Sequence, residues 1–286
     1  MPVERSGFFL ETPGGARYCQ LHVPGTGAAQ GLVLYVHPFA EEMNKSRRMA
    51  ALQSVALAKA GYTVLQIDLH GCGDSAGDFG DASWQGWVDD VVAAAQWLGT
   101  RSNGPLWLWG LRAGCLLTVA AAARLSIPVN MLFWAPTPIG KTLLQQFLRL
   151  KAAADMIGGQ AKLIMESTRQ QLASGQAVEI AGYALAPAVA QGLEQATLSP
   201  IGNVHRLVWL EVSTRTDATL TPAASGVIQR WEKAGAAVES RMVPGPAFWQ
   251  TTEIEEALDL LLATTEMLLS PVRESLVTAA QADLIA

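Results

Sequence analysis

The chain has 286 residues, half of them hydrophobic and 16% charged, which is enough for one large globular domain with a buried core. The net charge is -5 and no basic run stands out, which excludes the electrostatic surface that nucleic-acid binding needs. The longest uncharged stretches are interrupted at Arg112 and Arg124, so we predict no transmembrane segment.

The cysteines and the N-terminus indicate a cytoplasmic location. Cys19, Cys72 and Cys115 have neither a metal-binding spacing nor an even count for disulfides, so we predict reduced thiols, no metal site and no cofactor. The short apolar patch Phe8–Leu10 is followed at once by Glu11, so we do not interpret it as a signal peptide.

The first half of the chain alternates between short apolar runs and longer amphipathic runs. The apolar runs predict strands at Phe8–Glu11, Arg17–Val23, Leu32–Val36, Tyr62–Leu69, Leu106–Trp109 and Val129–Trp134. The amphipathic runs predict helices at Lys45–Ala60, between Trp84 and Leu98, and at Leu116–Ala123. Gly14 and Gly15 indicate a hairpin between the first two strands. The alternation predicts a doubly wound, mostly parallel sheet, and therefore an α/β fold.

The alternation breaks near residue 137. Ile139–Ser199 has helical periodicity and no convincing strand. We interpret residues 137–202 as a helical cap, inserted into a core formed by residues 1–136 and 203–286. The core resumes with predicted strands and helices at Leu207–Val212, Ala223–Gly235, Ala237–Val243 and Ile254–Leu269, followed by a weakly amphipathic tail over residues 270–286.

Leu106–Cys115 combines a strand, a tight turn and the start of a helix. Its Gly110-Leu-Arg112-Ala-Gly114 core has the spacing of Gly-x-Ser-x-Gly, in which a sharp turn presents a nucleophilic serine above the sheet. The glycines are required because the turn is tight and the helix packs closely behind it. Arg112 stands at the nucleophile position, and a protonated guanidinium cannot attack a carbonyl carbon.

Several motifs resemble the α/β-hydrolase superfamily. The turn from Asp68 to Ser75 resembles the superfamily's Asp-x-Arg-Gly-x-Gly-x-Ser, and His37-Pro38 stands where many members have His-Gly in the oxyanion-hole loop. The resemblance implies an α/β-hydrolase fold with an inserted helical cap, and it assigns Asp217, after the strand Leu207–Val212, to the position of the catalytic acid.

Three longer stretches resemble the exosortase A system-associated hydrolase 2 family of bacteria, at residues 37–48, 69–78 and 109–112. The resemblance implies a setting in exopolysaccharide production and no particular substrate. We hypothesise that the ligand is an acylated or anionic saccharide or another small molecule. The resemblance also implies a hydrolase of ester bonds.

A serine-hydrolase triad needs a nucleophile, a histidine base and an orienting acid. Only the acid has a candidate, because the loop Pro244–Trp249, where the base usually lies, contains no histidine. The loss of both nucleophile and base makes an ordinary carboxylester hydrolase the weaker alternative.

Arg112 has two interpretations. As a fixed cation beside a helix N-terminus, it would hold a carboxylate, phosphate or sulfate of a ligand. Alternatively it forms an internal ion pair, because a charge at a buried elbow needs a partner. The candidate partners are Glu41, Glu42, Asp74 and Asp217.

Three further residues are candidates for moving protons. Glu41 or Glu42 would serve as a general base if burial raises its pKa; otherwise they are solvated carboxylates in the first turn of a helix. His37 lies at the carboxyl end of a strand, as a base or as a residue that braces the loop by hydrogen bonds. The predicted walls of the ligand pocket are apolar: Phe39, Leu111, Trp134 and Trp249.

Three functions stay open. The first is an enzyme in which Arg112 orients the saccharide, one of Glu41, Glu42 and His37 moves protons, and Asp217 assists. The second is a pseudoenzyme, a binding or scaffolding protein that keeps the pocket and lacks the nucleophile. The third is a structural partner of another hydrolase. The sequence leaves the quaternary state open, and a homodimer is one candidate.

Overall fold

The computed structural model describes residues 2–270 except 26, 28 and 155–160, so the predicted tail beyond residue 270 lies outside the described residues. The strands β1 to β10 are Val3–Thr12, Gly15–Pro24, Gly31–Val36, Tyr62–Ile67, Leu106–Leu111, Val129–Trp134, Val178–Ile180, Tyr183–Leu185, Val204–Ser213 and Ala237–Pro244. The helices α1 to α8 are Glu41–Lys59, Trp84–Gly99, Ala113–Ala122, Gly140–Ala154, Ala161–Ala173, Pro187–Gln195, Pro222–Lys233 and Leu258–Leu269.

One eight-stranded sheet organises the molecule, in the order β1-β2-β4-β3-β5-β6-β9-β10. From β4 to β10 every pair is parallel, whereas β2 runs antiparallel to β1 and β4. All residues of β3 and β5 are buried, as expected for strands covered by helices on both faces. The predicted α/β fold with a mostly parallel sheet is confirmed.

The differences from the prediction include the starts of two helices and the content of the cap. Helix α1 begins at Glu41 rather than Lys45, and α8 begins at Leu258 rather than Ile254. The cap also contains the antiparallel hairpin β7–β8, so the prediction that it has no strand is wrong. Each of these strands has three residues, which is too short for an alternating pattern to stand out in a sequence.

The two segments that connect the core to the cap lie next to each other. Ile139 forms an antiparallel bridge with Thr197. The amide of Gly140 donates to the Ala196 carbonyl at 2.9 Å, and the amide of Leu198 donates to the Pro138 carbonyl at 3.0 Å. The bridge lies within the predicted cap limits of 137 and 202.

An aromatic cluster joins the cap to the core. Phe39 packs edge-to-face on Phe147 of α4 with 5.0 Å between ring centroids, and Phe79 packs on Tyr183 of β8 at 5.1 Å. Trp87 contacts both core phenylalanines. The cap is therefore held by directed ring contacts as well as by the chain itself.

The two edge strands carry charged and polar side chains. Glu4, Arg5 and Glu11 are exposed on β1. Arg241 is exposed on β10, which ends at the exposed Pro244. Among the residues that the structure describes, no helix is both long and apolar enough to span a membrane.

Candidate functional site

The tight turn predicted between β5 and α3 is present, with Arg112 at its apex. Arg112 has φ 55° and ψ -115°, a backbone conformation that L-residues rarely adopt. A Cβ atom on Gly110 would overlap the backbone of Cys115, and one on Gly114 would overlap the carbonyl oxygen of Val36. The glycines are thus required by the close approach of α3 to β3 and β5, as predicted.

All three guanidinium nitrogens of Arg112 have hydrogen-bond partners. Nε donates to Glu42 Oε1 at 3.2 Å, Nη1 to Thr137 Oγ1 at 3.0 Å, and Nη2 to Gln146 Oε1 at 2.9 Å. The guanidinium also lies 5.5 Å from the centre of the Trp249 ring, within the range of a cation–π contact. The internal ion pair was one of the two interpretations of Arg112, and Glu42 is its partner.

Carboxyl groups of unusual pKa surround this cation. Burial raises the pKa of Glu42 to about 7, against the opposing effect of Arg112, and its Oε2 has no hydrogen-bond partner among the described residues. Burial also raises the pKa of Glu41, the neighbouring residue in the first turn of α1. On β9, burial raises the pKa of Glu211, and the charge of Arg112 opposes that rise. Arg112 therefore favours the ionised carboxyls of Glu42 and Glu211, whereas burial favours their neutral forms.

Sequence reasoning missed three of these residues. Thr137 and Gln146 belong to the cap side of the molecule, and nothing in their local pattern distinguishes them from surface residues. Glu211 had a usable signal, because a carboxylate within an apolar strand needs a polar partner. That partner is the indole of Trp209, which donates to Glu211 Oε1 at 3.0 Å.

His37 uses both ring nitrogens within the protein. Nδ1 donates to the carbonyl of Pro38 at 2.8 Å, and Nε2 accepts from the amide of Leu69 at 3.3 Å. Burial lowers the pKa of the imidazole, which stays neutral. A ring with no free lone pair cannot accept a substrate proton, so these contacts oppose the predicted base and support the loop-bracing interpretation.

Asp217 is not brought to the elbow. Its side chain is 73% exposed and pairs with Arg215 at 3.0 Å. Arg215 lowers the pKa of Asp217 through a side-chain hydrogen bond. The carboxyl from this part of the chain that interacts with Arg112 is Glu211, and the exposed position of Asp217 opposes its predicted role as supporting acid. Asp217 lies beyond the end of β9, where it turns toward solvent.

The four predicted pocket walls separate into two pairs. Leu111 and Trp134 are 1% and 0% exposed, and the Trp134 indole donates to Thr264 Oγ1 at 2.8 Å, so both are core residues rather than walls. Trp249 lies under the Arg112 guanidinium, and in the part of the chain that the structure describes its Nε1 has no hydrogen-bond partner. Phe39 belongs to the aromatic cluster that holds the cap.

The space beside the elbow amide is nearly filled. A cavity of about 10 Å³ is lined by residues that include His37, Phe39, Trp87 and Ala113. This volume holds about one water molecule, not an acyl group. A cavity of about 530 Å³ lies at the amino ends of β3, β5 and β6, where Leu32, Leu106 and Val129 line it, at the opposite end of the sheet from Arg112.

The cysteines offer no alternative nucleophile. All three are free and buried. Burial raises the pKa of Cys19 and Cys72 to about 12 and that of Cys115 further still, so none is a thiolate at neutral pH. Cys72, in the glycine-rich turn after β4, is 7% exposed. No group of three metal-ligating side chains occurs in the described part of the chain.

A family model agrees with this architecture. The Hydrolase_4 model, described as serine aminopeptidase, S33, matches residues 27–195, which is more than half of the chain. The match begins in the loop before β3 and ends in α6, so it includes the elbow and most of the cap. No curated protein matches the chain.

Solved structures of similar fold include several esterases. Est1E from Butyrivibrio proteoclasticus with bound ferulic acid has a TM-score of 0.63 and 15% identity, over 92% of this chain and 98% of its own. A thermostable carboxyl esterase from Bacillus coagulans has a TM-score of 0.60 and 12% identity, over 94% and 98%. XC6422 from Xanthomonas campestris, an α/β serine hydrolase without a lid, has a TM-score of 0.55 and 16% identity, over 96% and 99%. At these identities the likeness shows the α/β-hydrolase fold alone.

Proposed function

The chain belongs to the Hydrolase_4 family, and from that premise we propose that it is a member that binds its ligand without forming an acyl-enzyme. The observation that carries the proposal is the apex of the elbow. A guanidinium stands there, and its three nitrogens are hydrogen-bonded to Glu42, Thr137 and Gln146. Covalent catalysis needs a nucleophile with an adjacent base, and this apex offers neither.

The ligand that this site favours is rich in hydroxyl groups and carries no net negative charge. Glu42 already neutralises Arg112, and Glu41 and Glu211 add negative charge around it, so an anionic saccharide would be repelled once these carboxyls ionise. Among the described residues, Glu42 Oε2 and Glu41 Oε2 are buried acceptors without a hydrogen-bond partner, and sugar hydroxyls would satisfy them once the cap moves off the elbow to admit the ligand. The indole of Trp249 adds an unpartnered donor. We therefore assign a neutral saccharide as the ligand class.

The biological setting rests on the sequence resemblance to the exosortase-associated family. That resemblance supports a binding or scaffolding role in bacterial exopolysaccharide production. The three free cysteines support a reducing compartment such as the cytoplasm.

A labelling experiment tests the absence of an acyl-enzyme. We expect no labelling of the protein by a fluorophosphonate probe and no turnover of p-nitrophenyl acetate or butyrate. The variant Arg112→Ser should remain unlabelled, because a serine at this apex has no histidine beside it. Labelling of any serine in the wild-type protein would overturn the proposal.

A binding experiment tests the ligand class. The probes are O-acetylated xylotriose, its deacetylated form and a glucuronic acid trisaccharide, each measured by calorimetry at pH 8. We expect the neutral sugars to bind and the acidic one not to bind. Glu42→Gln, which removes one acceptor, should weaken binding, whereas Asp217→Asn on the exposed surface should not. Preference for the acidic sugar, or equal binding by Glu42→Gln, would contradict the assignment.

A second function is favoured by one observation, the unpartnered Oε2 of Glu42 with its pKa of about 7. A general base works best with a pKa near the working pH. Glu42 would take a proton from water, the resulting hydroxide would attack the ester carbonyl, and the departing alkoxide would recover that proton. This function predicts ester hydrolysis that requires Glu42 and persists in Asp217→Asn, without labelling by the fluorophosphonate probe. These results together would identify a hydrolase that uses Glu42 as its base, rather than a binding protein.

A further inference from the structure

A second cavity lies within the cap, between α4, α5 and α6, with a volume of about 490 Å³. Its apolar lining includes Leu144 and Leu148 of α4, Leu172 of α5 and Ala190 of α6. Small-molecule sites have volumes of roughly 300 to 1,000 Å³ and mainly apolar walls, so this cavity has the size and lining of a ligand site.

The two charged side chains that line this cavity differ in whether they have a partner. Glu194 lines it, but its carboxylate pairs with Lys141 at 3.3 Å. Arg169 also lines it, and in the described part of the chain its guanidinium has no ion pair or hydrogen bond. The cavity therefore combines an apolar floor with one cation, Arg169, that has no partner among the described residues. A single anionic head group on an apolar body complements that arrangement.

We propose that this cavity binds a medium-chain fatty acid, with the hydrocarbon chain between α4, α5 and α6 and the carboxylate on Arg169. A guanidinium binds a carboxylate through two parallel N–H···O bonds, which fits a free acid better than an ester or an alcohol. Burial of the chain supplies the binding free energy, and Arg169 supplies the selectivity for the acid.

This site is independent of the elbow. Every residue that lines the cavity belongs to the cap, whereas Arg112, Glu42 and Glu211 belong to the core. The two sites meet only at α4, where Gln146 contacts Arg112 and its neighbour Gln145 lines the cavity. Failure of the proposed function at the elbow would therefore leave this inference standing, and the reverse also holds.

Calorimetric titration of the full chain with dodecanoate and with dodecanol tests the proposal. We expect dodecanoate to bind, and Arg169→Gln to weaken it by about tenfold while the affinity for dodecanol stays unchanged. The matched control is Arg149→Gln, an exposed arginine of α4 that does not line the cavity, which should bind dodecanoate like the wild type.

A second variant fills the cavity. Ala173→Trp introduces a large side chain at an exposed position of the lining, so folding is preserved while the binding of both ligands should be lost. Arg112→Met should leave dodecanoate binding intact. Absence of dodecanoate binding, equal loss in Arg149→Gln and Arg169→Gln, or unchanged binding in Ala173→Trp would overturn the proposal.

Discussion

Arg112 and Glu42 are partly shielded from water, with side chains 14% and 16% exposed. A charge in such a position costs free energy when its partner is removed, even where the pair itself adds little to stability. Replacing either Arg112 or Glu42 alone should therefore lower the free energy of unfolding more than replacing both residues together.

We expect Arg112→Met to lower the free energy of unfolding by about 2 kcal/mol at pH 8, because Glu42 is ionised beside Arg112 in the wild type, whereas the variant must bury that charge without its partner or bind a proton. The loss should be smaller at pH 5, because Glu42, with a pKa of about 7, is already protonated there. Urea denaturation at both pH values measures the two losses.

The matched control is Arg215→Ala, which breaks an ion pair of exposed side chains and should change stability little at either pH. Adding Glu42→Gln to Arg112→Met should recover part of the loss at pH 8. An equal loss at pH 5 and pH 8 would show that the cost of Arg112→Met is packing rather than charge.

His22 of β2 contributes to acid sensitivity. It is 1% exposed, and burial lowers its pKa from 6.5 to about 4. Between these two pH values His22 binds a proton in the unfolded chain but not in the folded chain. The free energy of unfolding therefore falls as the pH drops from about 6.5 to 4, by at most about 3 kcal/mol.

In His22→Gln, this part of the decline should disappear from denaturation curves measured at pH 7 and pH 4.5. His205→Gln, which changes an exposed imidazole, serves as the comparison and should retain the decline. A decline of undiminished size in His22→Gln would assign the acid sensitivity to other groups.

At the scale of helices and strands, local sequence patterns predicted most of the core. The strand-turn-helix at Leu106–Cys115 was recognisable because the close approach of α3 restricts Gly110 and Gly114 to glycine. The early start of α1 was not predictable from periodicity, since Glu41 and Glu42 are polar residues of a first turn. Hairpin β7–β8 was missed because its strands are too short to show alternation.

Helix α6 packs against α2 through a glycine. A Cβ on Gly192 would overlap the side chain of Trp84, whereas the nearest atom to a Cβ on Gly226, within α7, lies 4.0 Å away. We expect Gly192→Ala to destabilise the protein by about 2 kcal/mol, because α6 must move away from α2. Gly226→Ala should stabilise it by roughly 0.5 to 1 kcal/mol through helix propensity.

Thermal unfolding of the two alanine variants measures both effects with the same chemical change. We expect the unfolding temperature to fall in Gly192→Ala and to rise in Gly226→Ala. If Gly192→Ala were as stable as the wild type, the close contact between cap and core at Trp84 would be wrong.

At the scale of the whole molecule, the cap can be removed at its own bridge. Ile139 and Thr197 are adjacent across the bridge, so Asn-Gly in place of residues 140–196 would close the chain as a two-residue hairpin. We expect this variant to keep the far-ultraviolet circular dichroism of the core. It should also bind 8-anilinonaphthalene-1-sulfonate, because Phe39, Phe79 and Trp87 lose their cap partners.

The full-length chain under the same conditions should bind little of the dye. An unfolded capless variant would show that residues 137–202 are part of the folding core rather than an insertion, in contradiction to the predicted domain limits.

The candidate site was less predictable than the fold. The sequence identified Arg112 at the apex and Glu42 among its candidate partners. Gln146 reaches Arg112 only after the cap has folded back over the core, and Thr137 reaches it from the end of the neighbouring strand β6. Such long-range contacts leave no local pattern. Asp217 was assigned by its order in the chain, and four residues beyond β9 the chain has already turned toward solvent.

The two margins of the sheet have a consequence for handling the protein at high concentration. An open β-strand margin is a template on which a second molecule can add its own strand. Charges at Glu4, Arg5 and Glu11 on one margin, and Arg241 with Pro244 on the other, oppose that addition. Neutralising one margin, for example with Glu4→Val and Arg5→Val, should therefore promote fibrils that thioflavin T detects, while the fold of each molecule is unchanged.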